Sequence, residues 1–265
     1  MIRLGEIERL SAKFGVPAEV IEKDYCINWL LIALSSLKEK SGLVFYGGTA
    51  IKMAYFPVYR FSEDIDFISP RSFETGAILS LMEQLYGITK EKANIIFSTD
   101  TKTVEKRDAR LQFLISYDGF PELSFNKRIK LDFTFDVTPV QDPVLKKVSC
   151  SYSDMENISA KLPVYTLEAI ATDKIGTLLS TTRTEPRDLY DLWFLLKSGR
   201  LDLNKVKANF KIKFGYILDW RFVIPALHNL MYKERWAHRL LHQVARLPDF
   251  NLVLDETEQY VRKYF

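Results

Sequence analysis

The segment 45–67, which reads FYGGTAIKMAYFPVYRFSEDIDF, constrains the fold of this chain more than any other stretch of the sequence. An apolar strand pattern runs into Gly47 and Gly48, and glycine permits a positive φ and a close approach of the backbone. Thr49 is predicted to cap a short helix, which ends before Pro57. Because that helix is only about two turns long, at roughly 3.6 residues per turn, a second strand is expected to return beside the first.

The returning strand carries a run of alternating polar residues. In an extended chain, alternate side chains point to the same side. One face of this strand is therefore predicted to hold Arg60, Ser62, Asp64 and Asp66. The two carboxylates repel each other, and Mg²⁺ or Mn²⁺ would neutralise them, since these ions take one or two protein carboxylates together with water and phosphate oxygens. An edge strand with scattered surface charge is the alternative interpretation.

The glycine turn adds a second chemical property to the same segment. Free backbone N–H groups at the start of a helix attract an anion such as a triphosphate. Gly47, Gly48 and Thr49 are therefore predicted to bind phosphate, although a Gly-Gly pair alone would indicate no more than a turn. A phosphate-binding turn beside metal-binding carboxylates is the minimal machinery of nucleotidyl transfer.

The arrangement Gly-Gly-Thr-Ala, a short helix and Arg-x-Ser-x-Asp-x-Asp resembles the first motif of the DNA polymerase β-like nucleotidyltransferases. The complete residue sequence of this motif is similar to that of the AbiEii/AbiGii branch of the superfamily. Further similarity lies at Ile21 to Tyr25, at Asp173-Lys174, and in the Arg-Asp-Leu-Tyr-Asp-Leu run that begins at Arg187. Members of the branch are the toxins of type IV toxin–antitoxin and abortive-infection systems.

The resemblance implies both a fold and a reaction. The fold is of the α+β class: a polymerase β-like nucleotidyltransferase domain with a mixed sheet flanked by helices (residues 1–165), then a mostly helical domain (residues 166–265). The reaction moves NMP from an NTP to an acceptor hydroxyl, with Mg²⁺ or Mn²⁺ as cofactor, RNA such as tRNA as acceptor, and an antitoxin encoded nearby. A protein side chain as acceptor and a non-catalytic nucleotide-binding regulatory module on the same fold are the alternatives.

The periodicity of the remaining sequence indicates where helices and strands lie. Two helical pieces are predicted in residues 3–39, with Pro17 opening the second. The pattern is helical again from Thr166 onward. Between them a helix is predicted over 73–86 and strands around 93–98, 109–117 and 127–137, separated by the polar stretches 99–108 and 118–126.

A third carboxylate is expected on a strand next to the first two. The run 128–136 alternates cleanly, with apolar residues on one face and Lys130, Asp132, Thr134 and Asp136 on the other. Asp132 is the predicted third acid because it is central in the strand, whereas Asp136 adjoins a Val-Thr-Pro exit. In the family fold this acid binds metal or accepts the proton of the attacking hydroxyl. A polar outer face on an antiparallel strand is the alternative.

Three charged residues of the helical part are candidate nucleotide-binding residues. Lys174 interrupts an apolar helical stripe, and burying an ammonium without a partner is unfavourable. Its stem could extend to the surface, or it could reach an anion, and the resemblance implies nucleotide phosphate. Asp188 and Asp191 share a side face of the next helix, which the resemblance assigns to the active site; dipole compensation near the helix start would also account for Asp188.

Composition excludes several other classes of protein. The N-terminus is charged, and the longest apolar run, Ile27 to Leu34, is too short to span a membrane, so a cytoplasmic protein without membrane association is expected. Cys26 and Cys150 are expected to be reduced thiols. The net charge is only +3, but between Lys197 and Lys213 six basic residues stand against one acid. Such a cluster can bind an RNA backbone, and it is also typical of a solvated helix face.

Overall fold

The computed structural model describes residues 1–37, 42–123, 125–149, 151–180 and 183–265. The chain divides into two compact units. Unit 1 comprises residues 1–139 and 143–165, and unit 2 comprises residues 140–142 and 166–265. None of the helices in these ranges combines the length and the apolar character that a membrane span requires.

Unit 1 begins with two helices, α1 (Leu4–Phe14) and α2 (Ala18–Ser36). Gly15 ends α1 in the left-handed conformation with φ of 60°, as is common where a helix stops at glycine. Pro17 stands immediately before α2, so the predicted division of this region at Pro17 is confirmed. Cys26 of α2 is a buried free thiol, whereas Cys150 lies outside the described residues.

The remaining elements of unit 1 are a set of short strands with two helical segments. The first helical segment is α3 (Gly47–Ala50), which continues as a π-helical turn over Ile51–Tyr55, and the second is α4 (Thr75–Ala93). The strands are β1 (Val44–Tyr46), β2 (Asp64–Ile68), β3 (Phe97–Arg107), β4 (Arg110–Tyr117), β5 (Arg128–Thr134), β6 (Val144–Lys147) and β7 (Lys161–Val164).

Within the described residues these strands form one mixed sheet in the order β3-β4-β5-β2-β1-β7-β6. Strands β2 and β5 are parallel neighbours, as are β1 and β7, and the other pairs are antiparallel. Strand β2 is the middle strand of the seven, and β5 lies next to it. The predicted α+β fold with a mixed sheet is confirmed.

One face of the sheet is covered by α2 and α4. Apolar side chains of these helices line the same interior space as Ile65 and Phe67 of β2 and Leu131 and Phe133 of β5. Phe67 and Phe133 stack with their ring centroids 5.5 Å apart. Because successive side chains of a strand alternate between faces, the carboxylates of β2 project from the opposite face of the sheet.

Several predicted element boundaries are wrong. The helix predicted over 73–86 extends to Ala93 as α4, so β3 starts only at Phe97. That strand then runs through the stretch 99–108, which was predicted to be a polar separator, because an edge strand exposes most of its side chains to water. Strands β6 and β7, of four residues each, were not predicted at all.

Unit 2 is helical throughout its described elements. Thr166 caps its first helix, since its hydroxyl accepts a hydrogen bond from the Ala169 N–H at 3.2 Å, and Pro186 occupies the first turn of the next one. The helices are α5 (Leu167–Leu179), α6 (Pro186–Lys197), α7 (Leu203–Phe214), α8 (Trp220–Leu227), α9 (Leu230–Leu240) and α10 (Phe250–Tyr264).

Candidate active site

The Gly47-Gly48 turn joins β1 to α3 and lies directly against the carboxylate of Asp66. Gly47 has a φ of 81°, a conformation that residues with side chains rarely adopt. A Cβ atom on Gly47 would collide with the Asp66 carboxylate, and a Cβ atom on Gly48 would lie 2.6 Å from Nη2 of Arg60. Both positions therefore need glycine, because neighbouring side chains contact the backbone of the turn.

Thr49 does not cap the helix, contrary to the prediction. Helix α3 begins already at Gly47, so Thr49 lies inside it. The Thr49 hydroxyl instead donates a hydrogen bond to the main-chain oxygen of Asp64. This bond fastens the helix to the first residue of β2, and it fixes the distance between the turn and the carboxylates.

Arg60 and Ser62 precede the strand on which they were predicted to lie. Strand β2 begins at Asp64, and the chain before it follows an irregular path because both side chains pack against Gly48. Arg60 and Ser62 are 3% and 8% exposed. They support the turn from inside the unit, whereas Asp64 and Asp66 are half-buried. The prediction of a single polar face holds for the two aspartates alone.

One row of side chains crosses four strands at this site. In β1 and β2, Tyr46 lies opposite Asp66. Asp132 of β5 lies opposite Asp66 on its other side, and Gln112 of β4 lies opposite Asp132. Residues in register on neighbouring strands project to the same side of a sheet. The predicted adjacency of the two carboxylate strands is confirmed, and the catalytic role of Asp132 stays a prediction.

Arg110, at the start of β4, is a residue of this site that the sequence did not single out. Its Nε donates to Oδ1 of Asp132 at 2.9 Å and to Oδ2 at 3.1 Å, and its Nη2 also donates to Oδ2. Nζ of Lys130 lies 3.5 Å from the same Oδ2. The hydrogen bonds that Arg110 donates to Asp132 raise the pKa of Arg110. Arg110 and Asp132 come together only through the register of β4 and β5, so their spacing along the chain could not indicate the contact.

The donor chemistry of the row fits a hard divalent cation in part. Among the described residues, no group of three or more His, Cys, Asp and Glu side chains is arranged to hold a metal ion. Asp64 and Asp66 are half-buried carboxylates on one face of a strand. Mg²⁺ commonly binds one or two carboxylates of a protein, so these two are sufficient. Asp132 does not join them in this arrangement, because Arg110 occupies both of its oxygens.

Two acidic residues of α2, in the region of similarity from Ile21 to Tyr25, make buried contacts with other segments of unit 1. Oδ1 of Asp24 lies 2.8 Å from Nζ of Lys52, in the helical segment that follows the glycine turn. The Tyr152 hydroxyl donates to Oδ2 of Asp24 at 2.8 Å. Glu22 accepts hydrogen bonds from the Phe120 N–H and from Lys127, and burial raises its pKa. These side chains are buried, so their contribution is structural.

Unit 2 brings Lys174, Asp188 and Asp191 together. Nζ of Lys174 lies 2.6 Å from Oδ1 of Asp188 and 2.6 Å from Oδ2 of Asp191. Arg183 adds a contact of 3.0 Å to the other oxygen of Asp188. The lysine therefore does not extend into solvent from the apolar stripe of α5. Its charge is compensated by the two carboxylates, which are themselves 2% and 0% exposed.

Replacing Lys174 with methionine is expected to destabilise the protein. The change removes the ammonium that lies 2.6 Å from each of two buried carboxylates. We expect the free energy of unfolding to fall by about 2–3 kcal/mol, somewhat less than for a fully buried pair, because the lysine keeps some exposure. Urea denaturation of the two proteins measures the difference.

Lys213→Met is the matched control for that substitution. Lys213 pairs with Asp173 of the same helix α5 at 2.5 Å, but the two side chains are 30% and 21% exposed. This pair is more open to water than that of Lys174, although burial raises the pKa of Asp173, so this variant is expected to lose less stability than Lys174→Met. Equal stability of the Lys174→Met variant and the wild type would mean that the charged trio contributes nothing in solution.

The basic cluster from Lys197 to Lys213 is partly compensated. Lys197 lies 2.8 Å from Glu256, and Lys213 is paired as described. Phe210 is fully buried, whereas Tyr216 is exposed. Phe210 therefore offers no aromatic face to an RNA base, and RNA binding by the cluster stays a prediction.

Comparison with known proteins decides the family. A family model described as the nucleotidyl transferase AbiEii toxin of a type IV toxin–antitoxin system matches residues 29–260. The chain belongs to the AbiEii family. Its resemblance to that family, predicted from the glycine turn and the Asp-x-Asp strand, is confirmed. No match is found among curated proteins.

Solved structures agree with the AbiEii fold. MenT4, a nucleotidyltransferase toxin from Mycobacterium tuberculosis H37Rv, is 17% identical, with a TM-score of 0.72 over 98% of this chain and 89% of its own. A nucleotidyltransferase from H. pylori is 16% identical, with a TM-score of 0.59 over 94% and 96% of the two chains. At these identities the likeness shows the fold alone.

Membership of the AbiEii family establishes the class of activity. The protein is a nucleotidyltransferase toxin of the type IV class, with an NTP as substrate and an antitoxin as partner. Of the functions that the sequence left open, a non-catalytic regulatory module is therefore not supported.

Proposed function

We propose that this AbiEii protein transfers a nucleoside monophosphate from an NTP to a hydroxyl group of an RNA, with tRNA as the leading candidate, in a reaction that requires Mg²⁺ or Mn²⁺. The site of action that we propose is the cytoplasm, where NTP and tRNA are both available. Toxicity would follow from loss of functional RNA.

The contact between the Gly47-Gly48 turn and Asp66 carries the proposal. This contact brings backbone N–H groups, which bind phosphate, next to a carboxylate, which binds metal. A triphosphate bound at the turn would therefore have its charged oxygens beside Asp66 and its neighbour Asp64. Such close approach is possible only because Gly47 has no side chain.

We assign each candidate site residue of unit 1 a part in the transfer. Asp64 and Asp66 would hold a Mg²⁺ or Mn²⁺ ion, which neutralises the charge that develops on the phosphates. The turn and Thr49 orient the triphosphate so that the acceptor hydroxyl attacks the α-phosphorus in line and pyrophosphate leaves. Arg60 and Ser62 act on the nucleotide only by supporting the turn. Asp132 is available to a metal ion only if Arg110 leaves it.

Lys174, Asp188 and Asp191 remain proposed nucleotide-binding residues. The two carboxylates hold the ammonium at 2.6 Å each, so its position is fixed before any ligand arrives. A pre-positioned charge loses little entropy when it binds phosphate. We propose that Lys174 is the ligand and that both aspartates act through it.

Incubating the purified protein with total tRNA, Mg²⁺ and each of the four α-³²P-labelled NTPs in turn tests the proposal. We expect label in the tRNA band with at least one NTP, and none in the presence of excess EDTA. Digestion of the labelled RNA from its 3′ end locates the added nucleotide. The same reaction without RNA is the control for label transferred to protein.

The outcomes separate the proposed acceptor from its rival. Label that appears only in protein would replace the RNA acceptor by a protein side chain, as in adenylylating enzymes. Absence of transfer from every NTP, with the protein folded, would contradict the proposal altogether. Equal labelling with and without EDTA would remove the metal from the mechanism.

A further inference from the structure

The ion pair between Arg110 and Asp132 is asymmetric in its exposure. The carboxylate is 4% exposed, whereas the Arg110 side chain is 53% exposed. Asp132 is engaged through Nε and Nη2 of the guanidinium. Within the described part of the chain these are the hydrogen bonds that the guanidinium makes. One edge of the guanidinium is thus anchored from inside the unit, while the group as a whole reaches solvent.

The anchored guanidinium lies beside the proposed triphosphate site. Asp132 is in register with Asp66, and Asp66 touches the glycine turn. The hydrogen bonds to Asp132 raise the pKa of Arg110, and the negative charge of Asp66, the neighbour of Asp132 in the sheet, raises it further. Arginine has five N–H donors in a rigid fork, and it binds phosphate oxygens in pairs. A guanidinium held in one orientation loses little freedom when it binds.

The same pair leaves Asp132 poorly suited to bind a metal ion. Both of its oxygens already accept hydrogen bonds from a cation, and Nζ of Lys130 adds a second positive charge at 3.5 Å. Bringing a divalent ion to this carboxylate would require the guanidinium to leave a nearly buried partner. Asp64 and Asp66 already supply the two carboxylates that Mg²⁺ commonly takes.

We propose that Arg110 binds the triphosphate and that Asp132 is the positioning residue that holds it, in place of a third metal ligand. This inference rests on the proposed function, because it assumes that a triphosphate occupies the turn. It assigns the row of carboxylates two separate tasks. Asp64 and Asp66 face the metal ion, and Asp132 acts on the phosphates through Arg110.

A double-mutant cycle tests the assignment with two ligands. Arg110→Gln, Asp132→Asn and the double variant are titrated in a calorimeter with the α,β-methylene analogues of ATP, GTP, CTP and UTP in the presence of Mg²⁺. Binding of Mn²⁺ alone is followed by electron paramagnetic resonance. Each single variant is expected to bind the analogue at least tenfold more weakly than the wild type. The affinity of the double variant is expected to lie within twofold of that of the weaker-binding single variant, because both substitutions remove the same interaction. Affinity for Mn²⁺ is expected to stay within twofold of the wild type in all three.

Arg128→Gln is the matched control. Arg128 lies on β5 with Asp132, is 45% exposed and pairs with Asp100 at 3.6 Å, so it resembles Arg110 in exposure and charge. This variant is expected to bind the analogue like the wild type. Because Arg110 is half exposed, Arg110→Gln is expected to fold normally, and it carries the test if Asp132→Asn does not fold.

Three results would overturn the inference while leaving the proposed function intact: normal analogue affinity of Arg110→Gln, a tenfold loss of Mn²⁺ affinity in Asp132→Asn, or additive effects in the double variant. Failure of the wild type to bind any of the four analogues would overturn both proposals together. Binding by the wild type and its loss in Arg110→Gln supports both.

Discussion

Replacing Asp66 with asparagine is expected to lower the rate of nucleotidyl transfer by about 10²–10³-fold or more, the range found when one pre-organised charge-stabilising group is removed from an active site. The substitution keeps the size of the side chain next to Gly47 and removes its charge, so the melting temperature is expected to change little. Transfer of labelled NMP to tRNA and circular dichroism measure the two effects. Expression of the wild type alone is expected to arrest growth, and expression of Asp66→Asn is not.

Asp100→Asn is the control for the loss of a carboxylate from the same sheet. Asp100 lies on β3, is also partly exposed and has Arg128 as its ionic partner, but it lies away from the row of Asp66 and Asp132. The rate of nucleotidyl transfer by Asp100→Asn is expected to equal that of the wild type. Near-normal turnover by Asp66→Asn would remove the central claim that this carboxylate acts on the transferring phosphate.

Asp24→Ala is expected to have the largest effect on stability. The substitution leaves the Lys52 ammonium, 6% exposed, without the carboxylate that lies 2.8 Å away. It also removes one of the two acceptors of the Tyr152 hydroxyl, which keeps the main-chain oxygen of Ile21. Breaking a buried ion pair by removing one partner costs about 3–5 kcal/mol. Guanidinium chloride denaturation, followed by circular dichroism, is expected to show a loss of this size.

A second substitution identifies the cause of that loss. Lys52→Met in the Asp24→Ala background removes the unpaired charge while keeping most of the apolar stem, and it is expected to restore part of the stability. Asp154→Ala serves as the control, because this exposed carboxylate also accepts a hydrogen bond from a tyrosine, Tyr25, at 2.7 Å. If the free energy of unfolding of Asp24→Ala fell by less than about 1 kcal/mol, as for an exposed ion pair, the Asp24–Lys52 pair would not stabilise the helical segment that follows the glycine turn.

The parts of the fold that sequence could predict are those in which a local pattern and a long-range contact agree. The alternation of residues 128–134 has apolar and polar faces, so β5 was predictable as a strand. Its place beside β2 was predicted from the expectation that a third carboxylate lies next to the first two. Strands β6 and β7 have four residues each, which is too short for a period of two to stand out. In β3 the polar residues hid the strand, because most of its side chains face water.

The candidate site divides in the same way. The glycine turn and the two aspartates of β2 lie within one short segment, so their spacing indicated their chemistry. The partners of Asp132 and Lys174 could not be found in this manner. Arg110 reaches Asp132 only through the register of two strands, and Lys174 finds its carboxylates on another helix. Distance along the chain does not encode such contacts.

The parallel pairing of β2 with β5 has a consequence for the synthesis of a toxin. Asp66 and Asp132 become neighbours only after the chain has passed through α4, β3 and β4, and parallel strands form slowly because a long loop must close first. A ribosome that has completed the glycine turn and β2 has therefore made a fragment without the row of side chains across the sheet. We therefore expect translation products that end before β5 to lack transferase activity and to be harmless to the cell that makes them.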